Sequence, residues 1–145
     1  MIKNFVQAWE KNKGKLEEHI RTTKQDEYSE YKDLVKLLFD LVINPEMGAE
    51  YERFDTENIH VIDDGGYQGT MIFALHKDTY QPSVFDYVYT SVDYGSCSVC
   101  DTLQSIHQYE YENFPTDDQI EDCMTLCLHL LQKCRHFLYE KGETE

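Results

Sequence analysis

The sequence predicts an α+β fold: a small antiparallel sheet of three or more strands packed against N-terminal helices and a long C-terminal helix. Two changes of period point to it. Apolar residues recur at helical spacing before residue 44 and again after residue 116, whereas the stretch between holds Val-, Tyr- and Thr-rich runs separated by turn signals. Connections within that stretch are short, which favours antiparallel pairing. The 145 residues suit one domain, read as a helical pair over 1–44, a sheet over 58–95, and a C-x-x-C turn with the C-terminal helix over 96–140.

Each element has its own signal. In residues 2–21, Ile2, Phe5, Val6, Trp9, Leu16 and Ile20 keep a helical period that Gly14 interrupts, so a weak or broken helix is expected. Residues 25–43 are stronger, with Tyr28, Tyr31, Leu34, Val35, Leu38, Leu41 and Val42 on one stripe until Asn44-Pro45 stops it. The two helices are expected to pair antiparallel. Ile59–Asp63, Gly69–His76 and Val84–Tyr94 read as strands, with Asp64-Gly65-Gly66 as the first turn. Asp101–Gln108 reads as a short helix. Thr116 or Asp117 caps the last helix, expected to run to about Glu140.

The charge is lopsided. Thirteen bases against 28 acids give a net charge of −15, yet residues 1–36 hold eight bases and seven acids. Residues 37–132 hold 18 acids and only Arg53 and Lys77 as bases, a net of −16. Direct binding to nucleic acid or to an anionic membrane is excluded on this ground, because phosphate contacts need clustered cations. Leu41-Val42-Ile43 is the longest apolar run, far below the roughly 20 residues that span a bilayer. No signal peptide is expected, since Asn4, Gln7, Glu10 and Lys11 interrupt any apolar stretch near the start. A carboxylate surface serves solubility, or it imitates phosphate spacing for a partner with a cationic groove.

Five cysteines fit a disulfide scaffold badly and a reducing cytoplasm well. Cys97-Ser98-Val99-Cys100 follows a strand and precedes a helix. At 100° per residue from Cys123, Cys127 falls at about 40° and Cys134 at about 20°, beside Ile120, Leu131 and Leu138, while His129 and His136 point away. Three readings compete. Cys97, Cys100, Cys123 and Cys127 form a structural zinc site, all thiolate and closed to water, with His107 as a substitute ligand. Alternatively, Cys97 and Cys100 form a thioredoxin-like redox pair, although Pro45, Pro82 and Pro115 stand outside the expected downstream strand. In the third reading the helix cysteines are small core residues.

Other chemistry finds little support, and no enzyme is expected. His60 and His76 on strands and His107 on the short helix accompany no nucleophile motif. Asp63/Asp64 and Asp117/Asp118 have the character of turn and cap acids, and no phosphate loop, dinucleotide fingerprint or calcium loop is present. Eleven tyrosines are many. On the third strand Phe85, Tyr87 and Tyr89 share one face and Val84, Val88 and Val92 the other; one face must meet the helices. Tyr67, Tyr80, Tyr94, Tyr109 and Tyr111 lie in or near acidic loops and suit interface anchoring.

Three stretches carry a resemblance: Asp63-Asp64-Gly65-Gly66-Tyr67-Gln68-Gly69-Thr70, Thr79-Tyr80-Gln81-Pro82, and Tyr94-Gly95-Ser96-Cys97-Ser98-Val99-Cys100-Asp101-Thr102-Leu103-Gln104. With Met124-Thr125-Leu126-Cys127-Leu128-His129-Leu130 they resemble a family of small phage and prophage proteins, over roughly residues 59–135. The resemblance implies a phage accessory protein acting in the host bacterial cytoplasm. In that setting a small, acidic, non-enzymatic chain is similar to type II anti-CRISPR proteins. The implied partner is the type II CRISPR effector nuclease, whose cationic channel an acidic ligand would block to target DNA. Glu50, Glu52, Asp55, Glu57, Asp63, Asp64 and the stretch Glu110–Asp122, including Glu112, Asp117 and Asp118, would supply the contact, with Tyr109 and Tyr111 as anchors. An acidic adaptor for another host DNA-binding protein and a thiol oxidoreductase on Cys97/Cys100 are the alternative expectations.

Overall fold

The computed structural model describes residues 2–66, 68–96 and 101–138. Helix α1 (Lys3–Arg21) is continuous. Gly14 does not break it, because Gly14 lies on the solvent side with open space around it, where a missing side chain costs propensity but no packing. Its apolar stripe of Phe5, Ala8, Trp9, Leu16 and Ile20 is buried, chiefly against the turn at 39–43 and the C-terminal helix.

The second expected helix is divided. Residues 25–28 form a 3₁₀ turn, helix α2 spans Tyr31–Leu38, and residues 39–43 widen into a π turn. The first break has a tertiary cause. Gln25 and Asp26 donate their backbone N–H groups to the carbonyls of Asn113 and Tyr111, and Glu30 is extended, its N–H donated to Asp33 Oδ2 at 3.2 Å. In the π turn, Asn12 Nδ2 donates to the Val42 carbonyl at 3.0 Å and so supplies a buried partner from α1.

Strands β1 (His60–Asp63), β2 (Gly69–His76), β3 (Tyr87–Tyr94) and β4 (Arg135–His136) form one antiparallel sheet in the order β1-β2-β3-β4. β3 starts later than expected because Val84–Asp86 form a 3₁₀ turn, held by Ser83 N–H on Asp86 Oδ2 at 2.8 Å. In the β1–β2 turn, a Cβ on Gly65 would collide with the Gln68 carbonyl, so only glycine fits. Helix α3 (Thr102–His107) is capped by Asp101, and helix α4 (Asp117–Gln132) by Thr116. Gln119 ties the two together: Nε2 donates to the Ile106 carbonyl at 3.0 Å and Oε1 accepts the Thr116 N–H at 2.8 Å.

Helix α4 ends at Gln132 rather than near Glu140. Thr90 Oγ1 on β3 donates to the Leu130 carbonyl at 2.7 Å and Cys134 Sγ donates to it at 3.4 Å, while Arg135 takes the Gln132 carbonyl. The last carbonyls thus find partners outside the helix, and the chain turns to add β4 beside β3. Leu138, expected on the buried side of a longer helix, is consequently exposed. Phe73, Leu75, Val88 and Val92 join the helices in one hydrophobic cluster. Among the described residues no helix is long and apolar enough to cross a membrane.

Candidate functional site

The acidic residues singled out for partner contact divide into three places. Glu50, Glu52, Asp55 and Glu57 lie in the α2–β1 connection, next to the end of β2: the Asp55 N–H reaches the His76 carbonyl at 2.8 Å. Asp63 and Asp64 lie at the other end of β2, where the Asp64 carboxylate accepts the Thr70 N–H at 2.7 Å. The six steps along β2 from Thr70 to His76 put roughly 20 Å of strand between these groups. Tyr109, Glu110, Tyr111 and Glu112 belong to the α3–α4 connection, packed beside the 25–28 turn, and Asp117 and Asp118 open helix α4 just after it.

Several of these carboxylates already have partners. Lys36 Nζ lies 2.8 Å from Glu57 and 3.3 Å from Asp40, and Arg21 lies 2.9 Å from Asp117. Asp55 caps its own turn, and its carboxyl is held below the usual range first by the Asn58 side chain. Asp63 accepts the Tyr94 hydroxyl and the Gly65 N–H, which lower its pKa in that order, and the bond to Asp63 pushes the Tyr94 phenol to about 12. Nine of the twelve residues are exposed, and Glu52, Asp55 and Tyr111 are half-buried. Tyr111 stacks near His107, with ring centroids 5.1 Å apart, so its ring is part of the fold's packing. Tyr109, by contrast, is 69% exposed and follows Gln108 in a left-handed pair with φ of 62° and 51°.

His107, the substitute metal ligand of the sequence reading, is fully buried. Its Nδ1 meets Gln25 Oε1 at 2.8 Å and its Nε2 meets the Tyr28 carbonyl at 3.3 Å, so both nitrogens are engaged. Burial pushes its pKa below 6.5.

Cys123, Cys127 and Cys134 are wholly buried, as the helical wheel predicts, although Cys134 follows the helix. Cys123 and Cys127 adjoin: the hydrogen bond to Cys123 and burial raise the Cys127 thiol well above its ordinary value. Burial alone carries Cys134 to about 12. Cys97 and Cys100, expected as zinc ligands or as a redox pair, lie outside the described residues; of the four residues expected to hold zinc, the described fold places Cys123 and Cys127 side by side. Among the described residues no group of three or more His, Cys, Asp or Glu is arranged to hold a metal ion.

The sheet itself carries a feature larger than any of these. Register places Val61, Met71, Phe73, Leu75, Val88, Thr90 and Val92 toward the helices, and His60, Ile62, Ile72, His76, Tyr87, Tyr89 and Arg135 away from them. The hydrophobic cluster draws no member from this outer face. Five rings are in contact on it, three pairs tilted and Tyr87–Phe137 stacked: His60–His76 at 5.6 Å, His76–Tyr87 at 5.4 Å, Tyr87–Phe137 at 5.7 Å and Tyr89–Phe137 at 5.1 Å. The Tyr87/Tyr89 alternation announced part of this face. Phe137 was hidden, because residues 133–138 read as helix, and the His60–His76 contact needs the strand register. Comparison with models of known families, with curated proteins and with solved structures gives no match.

Proposed function

We propose that this chain is a non-catalytic binding protein that occupies a cationic, nucleic-acid-handling surface of another protein. One observation carries the reading: of the 18 acids in residues 37–132, Asp101 alone is buried, and only Arg53 and Lys77 offset them within that span. Self-repulsion among so many exposed carboxylates costs stability, and a cationic partner relieves it on docking. The charge is spread over both ends of the sheet and the α3–α4 connection, which suits a broad complementary groove better than a single-point contact.

The type II CRISPR effector nuclease, which holds its heteroduplex in a positive channel, is the partner to try first, in keeping with the phage-like resemblance. The test is target-DNA binding and cleavage by the guide-loaded effector, with this protein added before or after DNA and an equally acidic unrelated protein as control. Inhibition only on prior addition, falling steeply between about 50 and 200 mM salt, is the expected result. Absence of inhibition across several effectors overturns that choice of partner.

A further inference from the structure

Stacking platforms on four-stranded sheets accept planar groups, and two kinds are common in proteins' partners: nucleobases and arginine guanidinium. The outer face described above is such a platform. Its rings run across all four strands, from His60 on β1 through His76 and Tyr87 to Phe137 just past β4, a width of about 14 Å at strand spacing. Tyr87 and Phe137 stack in parallel, their ring planes 10° apart and their centroids 5.7 Å apart, so Phe137 lies over Tyr87 as the outermost ring of the row. Phe137 is 41% exposed and Ile62 at the β1 edge is 55% exposed, so an incoming group can reach the rings.

Charge selects between the two kinds of planar ligand. A nucleobase arrives with phosphate, which the −16 of residues 37–132 repels; a guanidinium arrives with the opposite sign. Exposed acids flank the platform at Asp93, whose carboxylate takes the Thr70 hydroxyl at 2.8 Å, and at Asp78 beyond the end of β2. The one cation on the face among the described residues, Arg135, turns its guanidinium to the carbonyls of Gln132 and Cys134 at 2.9 and 2.8 Å, where it closes helix α4.

We infer that the outer face of the sheet is the docking surface for an arginine-rich segment of the partner protein, with guanidinium groups stacked on Phe137 and the His60/His76 pair. The inference rests on the proposed acidic docking function and names its contact surface. It differs from the sequence expectation, which put the contact on the loops at 50–64 and 109–122. Cation–π stacking makes arginine better than lysine here, by roughly threefold or more for a single exposed contact.

The probes are nona-arginine and nona-lysine, equal in charge, titrated into the full chain at about 50 mM salt with backbone amide shifts recorded. The expected result is tighter binding of nona-arginine by at least threefold, with shifts concentrated at residues 60–62, 72–76, 87–91 and 135–137. Phe137→Ala and, separately, His60→Ala should remove the arginine preference while leaving nona-lysine affinity unchanged. His60 sits on the exposed edge strand, so its variant stays informative if Phe137→Ala loosens β4. Equal binding of both peptides, or shifts centred on 109–118, overturns this surface and leaves the acidic docking reading standing. Failure of both peptides to bind overturns both. Binding of a single-stranded oligonucleotide to the same residues overturns the choice of guanidinium.

Discussion

The Tyr31 hydroxyl donates to Asp101 Oδ1 at 2.9 Å and accepts the Leu103 N–H at 3.1 Å, joining the first turn of α2 to the cap of α3 across 70 residues. Asp101 is buried, and its carboxylate also accepts the N–H groups of Gly95 and Gln104. Tyr31→Phe leaves a buried carboxylate short of one donor and a buried N–H without a partner. The expected cost is roughly 1–3 kcal/mol by urea unfolding. Tyr28, three residues earlier, gives the opposite expectation. Its hydroxyl is buried without a hydrogen-bond partner among the described residues, so Tyr28→Phe should be neutral or stabilising. A loss above about 1 kcal/mol in Tyr28→Phe would show that the hydroxyl is bonded in solution.

His107 makes stability depend on pH in a definite direction. Its folded-state pKa lies below 6.5 because burial disfavours the charged ring, and the groups around it are Tyr28, Tyr111 and the amide of Gln25. The unfolded chain therefore binds the proton first. Stability is fully present above 6.5 and declines as pH falls from there toward the folded value. Melting temperature followed between about pH 5 and 8 should fall on the acid side, and His107→Phe should flatten that slope. An unchanged slope in the variant would assign the titration elsewhere.

The same residues show what a sequence can and cannot carry. The bounds of β2 follow from Gly69 at one end and the loop at Lys77 at the other, and the structure has β2 at Gly69–His76 as read. The end of α4 was not legible, because the group that captures the Leu130 carbonyl is Thr90, 40 positions away on another element. Nor was the break at 29–30, which answers to hydrogen bonds from the 111–113 loop. For the candidate site, charge could be counted from the sequence, but its division between opposite ends of β2 could not. The aromatic platform was half legible: alternation put Tyr87 and Tyr89 on one face, and the placement of the helices decides that, among the described residues, this face is the one they leave uncovered.

The Cys123/Cys127 pair separates two roles by experiment. As core residues, both are wholly buried, and the hydrogen bond to Cys123 together with burial raises the Cys127 thiol, which stays protonated and unreactive in the folded state. Chelation should then leave the melting curve unmoved, and Cys123→Ala should cost about 1–2 kcal/mol through lost packing. A chelator that lowers the melting temperature sharply, with one zinc released per chain, would instead assign a thiolate site completed by Cys97 and Cys100.

Salt should act on folding and on docking with opposite signs. The −16 of residues 37–132 is mostly exposed carboxylate, and the ion pairs that relieve it are surface pairs such as Lys36–Glu57 and Arg21–Asp117, each worth little. Raising ionic strength from about 0.02 to about 0.5 M shortens the screening length from tens of ångströms to a few, so repulsion weakens and the melting temperature rises by a few degrees. The same increase weakens association with any cationic partner, because steering and counterion release both fade. A protein that becomes more stable while its complex falls apart has lost the attraction between surfaces and kept its fold. If melting temperature and affinity instead fall together with salt, the weakened binding reflects an unstable fold, and the acidic surface is not the source of recognition.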